Sequence, residues 1–179
     1  MPSPISYNQD KFKELILYVS SQMRGQKFFG AVKLNKALFL SDFYSYALHG
    51  TPITGSPYRH LQLGPCPTYL VQAKRELVEA GDIEIIEDEV FGRKQNRILA
   101  LRRADLSEFT SHEIKLIDEV LESILEKNGK ELSDLTHELK GWILTEMGED
   151  IPYHSIFIAN RPASTFDVDQ AKEILALTA

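Results

Sequence analysis

The 179-residue sequence has one cysteine, Cys66. An internal disulfide and a cysteine-based zinc site are therefore excluded. No run of 18 or more apolar residues occurs, so no membrane span is expected. The opening Met1-Pro2-Ser3-Pro4-Ile5-Ser6 lacks the basic and apolar regions of a secretory leader. Glycine (10) and proline (8) are not in excess, which argues against collagen-like or low-complexity chains. Basic residues are the minority, 20 Lys+Arg against 26 Asp+Glu, giving a net charge of −6. Proteins that coat nucleic acid or sit on anionic membranes usually carry the opposite sign. Nucleic acid is thus a disfavoured partner, although a local basic patch remains open. The expectation is a soluble, cytoplasmic protein without a membrane partner.

What is present is a folding composition, 43 % apolar and 26 % charged. That suits one domain over 1–179 with a sizeable core. The charge is uneven. Residues 1–103 carry 14 Lys+Arg and 10 Asp+Glu, a balance of +4. Residues 104–179 carry 6 and 16, a balance of −10. Two faces with different partners, or mutual attraction, would follow from such a split.

The apolar periodicity predicts mainly helix. Phe12, Leu15, Ile16 and Val19 form one stripe over 7–23. Residues 31–48 are apolar over more than half the circumference, the mark of a central helix. Gly50-Thr51-Pro52 ends it, and 50–67 reads as a loop rich in turn residues. A third helix is expected over 67–80. The period then changes to alternation in Ile83-Glu84-Ile85 and in 97–101, with Phe91-Gly92-Arg93-Lys94 between, which reads as a β-hairpin. Leu116, Ile117, Val120, Leu121 and Ile124 mark a helix beginning near Thr110. Ser133 reads as the N-cap of a short helix over 134–141. A short apolar run, Ile156-Phe157-Ile158, follows Pro152, and a last helix is expected over 168–177. The fold class is mainly α, one helical domain with a small hairpin and a winged-helix-like segment.

Chemistry is sparse. None of His49, His60, His112, His137 and His154 has another histidine at metal-ligand spacing, so no metal or other cofactor is expected. No phosphate-binding glycine loop occurs, and Gly55-Ser56-Pro57 lacks the second glycine of a nucleophile elbow. Cys66, between two prolines, is either inert packing or a nucleophile needing a distant histidine. Asp42 lies on the apolar helix with Lys33 and Lys36, and must face solvent, a cap or a cation. Arg93, Lys94 and Arg97 on the hairpin, after a helix bearing Lys74 and Arg75, could contact DNA phosphates as a wing. Glu84, Glu87, Asp88 and Glu89 largely cancel them.

The run Lys33-Leu34-Asn35-Lys36-Ala37-Leu38-Phe39-Leu40-Ser41-Asp42-Phe43-Tyr44 resembles the opening helix signature of the Panacea domain family, which includes SocA-like antitoxins and GepA-like phage-associated proteins. The resemblance continues through Gly50, Ile53-Thr54-Gly55, Tyr58 and Gly64-Pro65-Cys66-Pro67. It resumes at Leu132-Ser133-Asp134-Leu135-Thr136-His137 with Trp142, then at Ile151-Pro152-Tyr153. It spans about 30–155, in the family's order. One departure is Leu63, which stands where an aromatic residue commonly precedes Gly-Pro.

The resemblance implies a helical domain with a small hairpin. It implies the antitoxin of a type II toxin–antitoxin pair, neutralising its toxin by direct contact. One family member also delivers its toxin to a protease. The residues carried over as partner-binding or motif positions are Lys33, Lys36, Asp42, Tyr44, Tyr58, Gly64, Pro65, Pro67, His137 and Trp142. Gly64, Pro65 and Pro67 would stiffen a turn and lower the ordering cost of a surface it presents. Tyr58 and Trp142 are residue types that anchor interfaces. His137 could bond a loop carbonyl, and Asp42, His137 and Trp142 could equally form a polar-rimmed core. Two other readings remain at this point, a winged-helix-like DNA-binding regulator and an enzyme using Cys66. The apolar end, 175–179, could be a degradation signal or a frayed helix end.

Overall fold

The computed structural model describes residues 4–158, except Lys27, Phe91 and the side chain of Arg93. The expected helix over 168–177 and the apolar end lie outside the described residues. The chain is mainly helical with two small antiparallel strand pairs. In order come α1 (Gln9–Gln22), α2 (Ala31–His49), β1 (Tyr58–Arg59), β2 (Cys66–Pro67) and α3 (Leu70–Glu79). Then follow β3 (Ile83–Val90), β4 (Arg93–Ala100), α4 (Ser111–Leu125), α5 (Gly129–His137) and α6 (Lys140–Ile143). A 3₁₀ turn (Tyr153–Phe157) closes the described part.

Helix α2 is the axis of the fold. Leu34, Ala37, Leu38, Phe39, Leu40 and Phe43 are all buried, so its apolar surface runs nearly all round. It is covered by α1, α4, α5, β2 and the 3₁₀ turn. Helix α4 lays Leu116, Ile117, Val120, Leu121 and Ile124 inward. Its start is a capping box, Thr110 with Glu113.

Helix α5 begins earlier than its sequence suggests. Asn128 is the N-cap, and Glu131 closes a second capping box. Ser133 is therefore interior to the helix, where its hydroxyl donates to the Leu63 carbonyl at 3.2 Å. Asn128 outcompetes Ser133 because it satisfies two early backbone N–H groups, those of Lys130 and Glu131. The helix stops at His137, so Trp142 stands on the separate turn α6.

The hairpin is longer than the alternation shows. Ile83 pairs with Ala100 at one end and Val90 with Arg93 at the other. Its outer half is polar, so ion pairs replace the apolar alternation there. Lys94 meets Glu87 at 2.8 Å and Arg97 meets Asp88 at 2.6 Å across the strands. A second strand-like contact joins 148–151 to β1. Ile151 N–H donates to the Tyr58 carbonyl at 2.7 Å, and His60 N–H to the Glu149 carbonyl at 2.9 Å.

Candidate functional site

The motif residues converge around the segment 51–67, which α2 holds from below. Asp42 is fully buried. Its Oδ1 accepts from the Thr54 backbone N–H at 2.6 Å, and its Oδ2 from the Thr54 hydroxyl at 2.6 Å. The Tyr58 hydroxyl lies 2.7 Å from Asp42 Oδ2 and 2.8 Å from the Leu38 carbonyl. One hydroxyl proton cannot serve both acceptors. Burial pushes the Asp42 carboxyl above its ordinary range, against the opposing pull of the Thr54, Tyr58 and Tyr153 donors. Asp42 has thus found a cap, and among the described residues no salt bridge to it forms.

Aromatic packing surrounds this carboxyl. Tyr153 stacks on Phe43 with centroids 4.5 Å apart and donates to the Ser56 carbonyl at 2.6 Å. Tyr58 meets Phe39 edge-on at 5.3 Å. Thr54, Ser56 and Tyr153 thus complete the site. Their motif neighbours mark them, but nothing in their spacing shows that they meet Asp42.

Lys36 secures the other end of the segment. It is 1 % exposed, and its Nζ donates to the Leu63 carbonyl at 2.5 Å. Burial lowers its pKa to about 8. Gly64, with φ +100°, packs directly over the ammonium. A Cβ there would overlap Lys36 Nζ and lie 2.9 Å from Thr136 Oγ1. Only glycine fits this backbone and this approach. Pro65 is buried beside it, and Cys66 and Pro67 form β2, paired with β1.

A ring stack joins this turn to the acidic half. Trp142 lies between His60 and His137, with centroids 4.0 and 3.9 Å away and planes 25° and 14° apart. His60 Nδ1 is 3.2 Å from the Thr145 hydroxyl. The expectation that His137 bonds a loop carbonyl is not met. Its Nε2 is buried without a hydrogen-bond partner, as is Trp142 Nε1. The ring faces Trp142 instead, because α5 ends at His137 and α6 turns back over it. Burial and the nearby Lys36 charge hold His137 below the ordinary imidazole range.

The remaining candidates are spread apart. Lys33 is buried and donates to the Ile124 carbonyl at 3.3 Å, a cation placed at the end of α4. Tyr44 is 36 % exposed on α2. Lys94 and Arg97 are engaged in the cross-strand pairs above, and Arg97 also donates to the Gln26 carbonyl at 3.2 Å. Arg93 lies on β4 at the hairpin end. Burial raises the Cys66 thiol, so its nucleophilic form is suppressed. It borders a cavity of about 140 Å³ between α2, α3 and the hairpin, with Asn35, Lys74 and Ile98. Among the described residues no group of three His, Cys, Asp or Glu could hold a metal ion. No described helix is long and apolar enough to cross a membrane.

The arrangement therefore acts mechanically. Lys36, Asp42, Tyr58 and Gly64 are inside, where they cannot touch a partner. They fix the course of 51–67 and so fix what that segment presents outward. The family described as antitoxin SocA-like, Panacea domain, matches this chain over residues 34–143. That span runs from the first buried turn of α2 to the end of α6. No curated protein and no solved structure matches the chain.

Proposed function

Because the chain belongs to the SocA-like antitoxin family of Panacea domains, we propose that it is the antitoxin of a type II pair and neutralises its toxin by direct protein–protein contact. The observation that carries this reading is the family match across the segment that Lys36 and Asp42 hold rigid. A preorganised turn loses little entropy on binding, which suits a protein whose task is to hold another. In this reading the chain is a binding module and not an enzyme, and it works in the cytoplasm.

The decisive experiment expresses the neighbouring gene from a tight promoter, with and without this chain. Growth arrest by the neighbour alone, relieved by this chain, is expected. A neighbour that is harmless alone, or arrest that this chain does not relieve, would remove the antitoxin reading. The toxin's level during rescue separates two modes. Constant toxin means neutralisation by occupancy alone, whereas toxin that disappears with time means that the chain acts as a proteolytic adaptor.

A further inference from the structure

The motif residues are largely interior, so the contact with a toxin must be made by others. Leu61, Leu63, Ile143, Leu144 and Met147 are 40, 62, 51, 66 and 62 % exposed. They flank two contacts that join the 60–63 turn to the 142–148 segment. Gly148 N–H donates to the His60 carbonyl at 2.9 Å, joining the chain neighbours of Met147 and Leu61. The His60 ring lies on Trp142, which places Ile143 and Leu144 next to the same turn. Exposed apolar residues clustered in this way mark an interaction site more often than single exposed leucines do. The turn is also fixed from behind, through the Lys36 and Ser133 bonds to the Leu63 carbonyl.

Charge identifies the occupant. Glu138, Glu146, Glu149 and Asp150 are exposed around the strip, against Lys140 and an Arg59 engaged with Asp150 at 3.5 Å. A second copy of this chain would bring an identical acidic rim, and like charges facing each other are unfavourable. The segment 159–179 carries Arg161 and Lys172 against Asp167, Asp169 and Glu173, so it is acidic too. A partner with an apolar centre and a basic rim is complementary.

We propose that this strip is the toxin-docking surface, and that the toxin meets it with an apolar centre ringed by Lys and Arg. The proposal rests on the antitoxin reading. It assigns the contact to residues outside the buried motif set.

The test uses the full chain and the product of the neighbouring gene. Leu63→Asp and Leu144→Asp lie on the strip. Val71→Asp, at a residue 77 % exposed on α3, is the control. All three should melt within a few degrees of wild type, because exposed sites carry little stability. Rescue of growth and affinity for the purified toxin should fall at least tenfold in Leu63→Asp and Leu144→Asp and stay unchanged in Val71→Asp. Glu138→Lys and Glu146→Lys should slow association at low salt, with the difference closing at high salt. Strip variants that bind and rescue like wild type, while wild type itself rescues, would overturn the docking surface and leave the antitoxin reading intact. Failure of wild type to rescue would overturn both. Strip variants that turn a wild-type dimer into a monomer yet still rescue would assign the strip to self-association and overturn the proposal.

Discussion

Lys36 and Gly64 share one site, since the space that a side chain at 64 would need holds the Lys36 ammonium. The two residues are 28 positions apart in sequence and belong to different elements. Their fit gives the turn 61–64 one position relative to α2, because the ammonium must reach the Leu63 carbonyl past the glycine.

Gly64→Ala should destabilise the protein by about 1–3 kcal/mol from the positive φ alone. The displaced Lys36 adds to that. Chemical denaturation measures the loss. Combined with Lys36→Met, the cost should be less than the sum of the single changes, because both act on one contact. A strictly additive double mutant would contradict the shared site.

Lys36 also makes stability depend on pH. Its folded pKa, about 8, is below the ordinary lysine value of 10.5. Between those values the unfolded chain binds the extra proton, so stability from this group rises with pH. Wild type should gain on Lys36→Met by up to about 1 kcal/mol per pH unit from pH 8 upward. The comparison between the two proteins is needed because buried tyrosines act oppositely. Tyr58 and Tyr153 are raised well above the ordinary phenol range and favour unfolding at higher pH. A gap between the two proteins that is constant with pH would refute the assignment.

Asp42→Ala should cost roughly 3–5 kcal/mol, since it leaves the Thr54 N–H and the Thr54 hydroxyl without their acceptor in a buried site and leaves the Tyr58 hydroxyl only the Leu38 carbonyl. Hydrogen exchange should show the Thr54 amide losing protection. Asp42→Asn, which retains an acceptor of the same shape, should be milder. Equal losses in both variants would argue that negative charge, not acceptor geometry, is what the site needs.

Trp142 is the single tryptophan and therefore reports on its own stack. As pH falls through the imidazole range, protonation of a stacked histidine should quench its fluorescence. His137 is held below the ordinary value, so its step should fall under pH 6.5. The unfolded chain takes up that proton first, so the same step should lower stability as pH falls. His137→Gln should abolish that step. An unchanged titration would show that His137 is not the group sensed.

Much of the secondary structure follows from local pattern alone. The all-round apolar face of α2 makes it central, and the stripe in α4 makes it a covering helix, because burial follows periodicity. The family motifs are legible for the same reason, as short residue runs in a fixed order. Local pattern misplaces the start of α5, where Ser133 reads as the cap and the folded chain uses Asn128 instead. It also undercounts the hairpin, whose outer half is held by charge pairs without apolar alternation.

The sequence by itself determined the composition of the site, a lysine and an aspartate on an apolar helix, a Gly-Pro turn, and a histidine and a tryptophan in the acidic half. The tertiary structure decided their roles. Lys36 reaches Leu63, Asp42 caps Thr54, and His60 and His137 enclose Trp142 only because α2, the 51–67 segment and α6 meet in space. Apart from His137 and Trp142, which are five positions apart, these contacts join residues 12 to 82 positions apart, separations that leave no spacing to read. Which of these residues lie inside is settled by packing, a property of the folded chain.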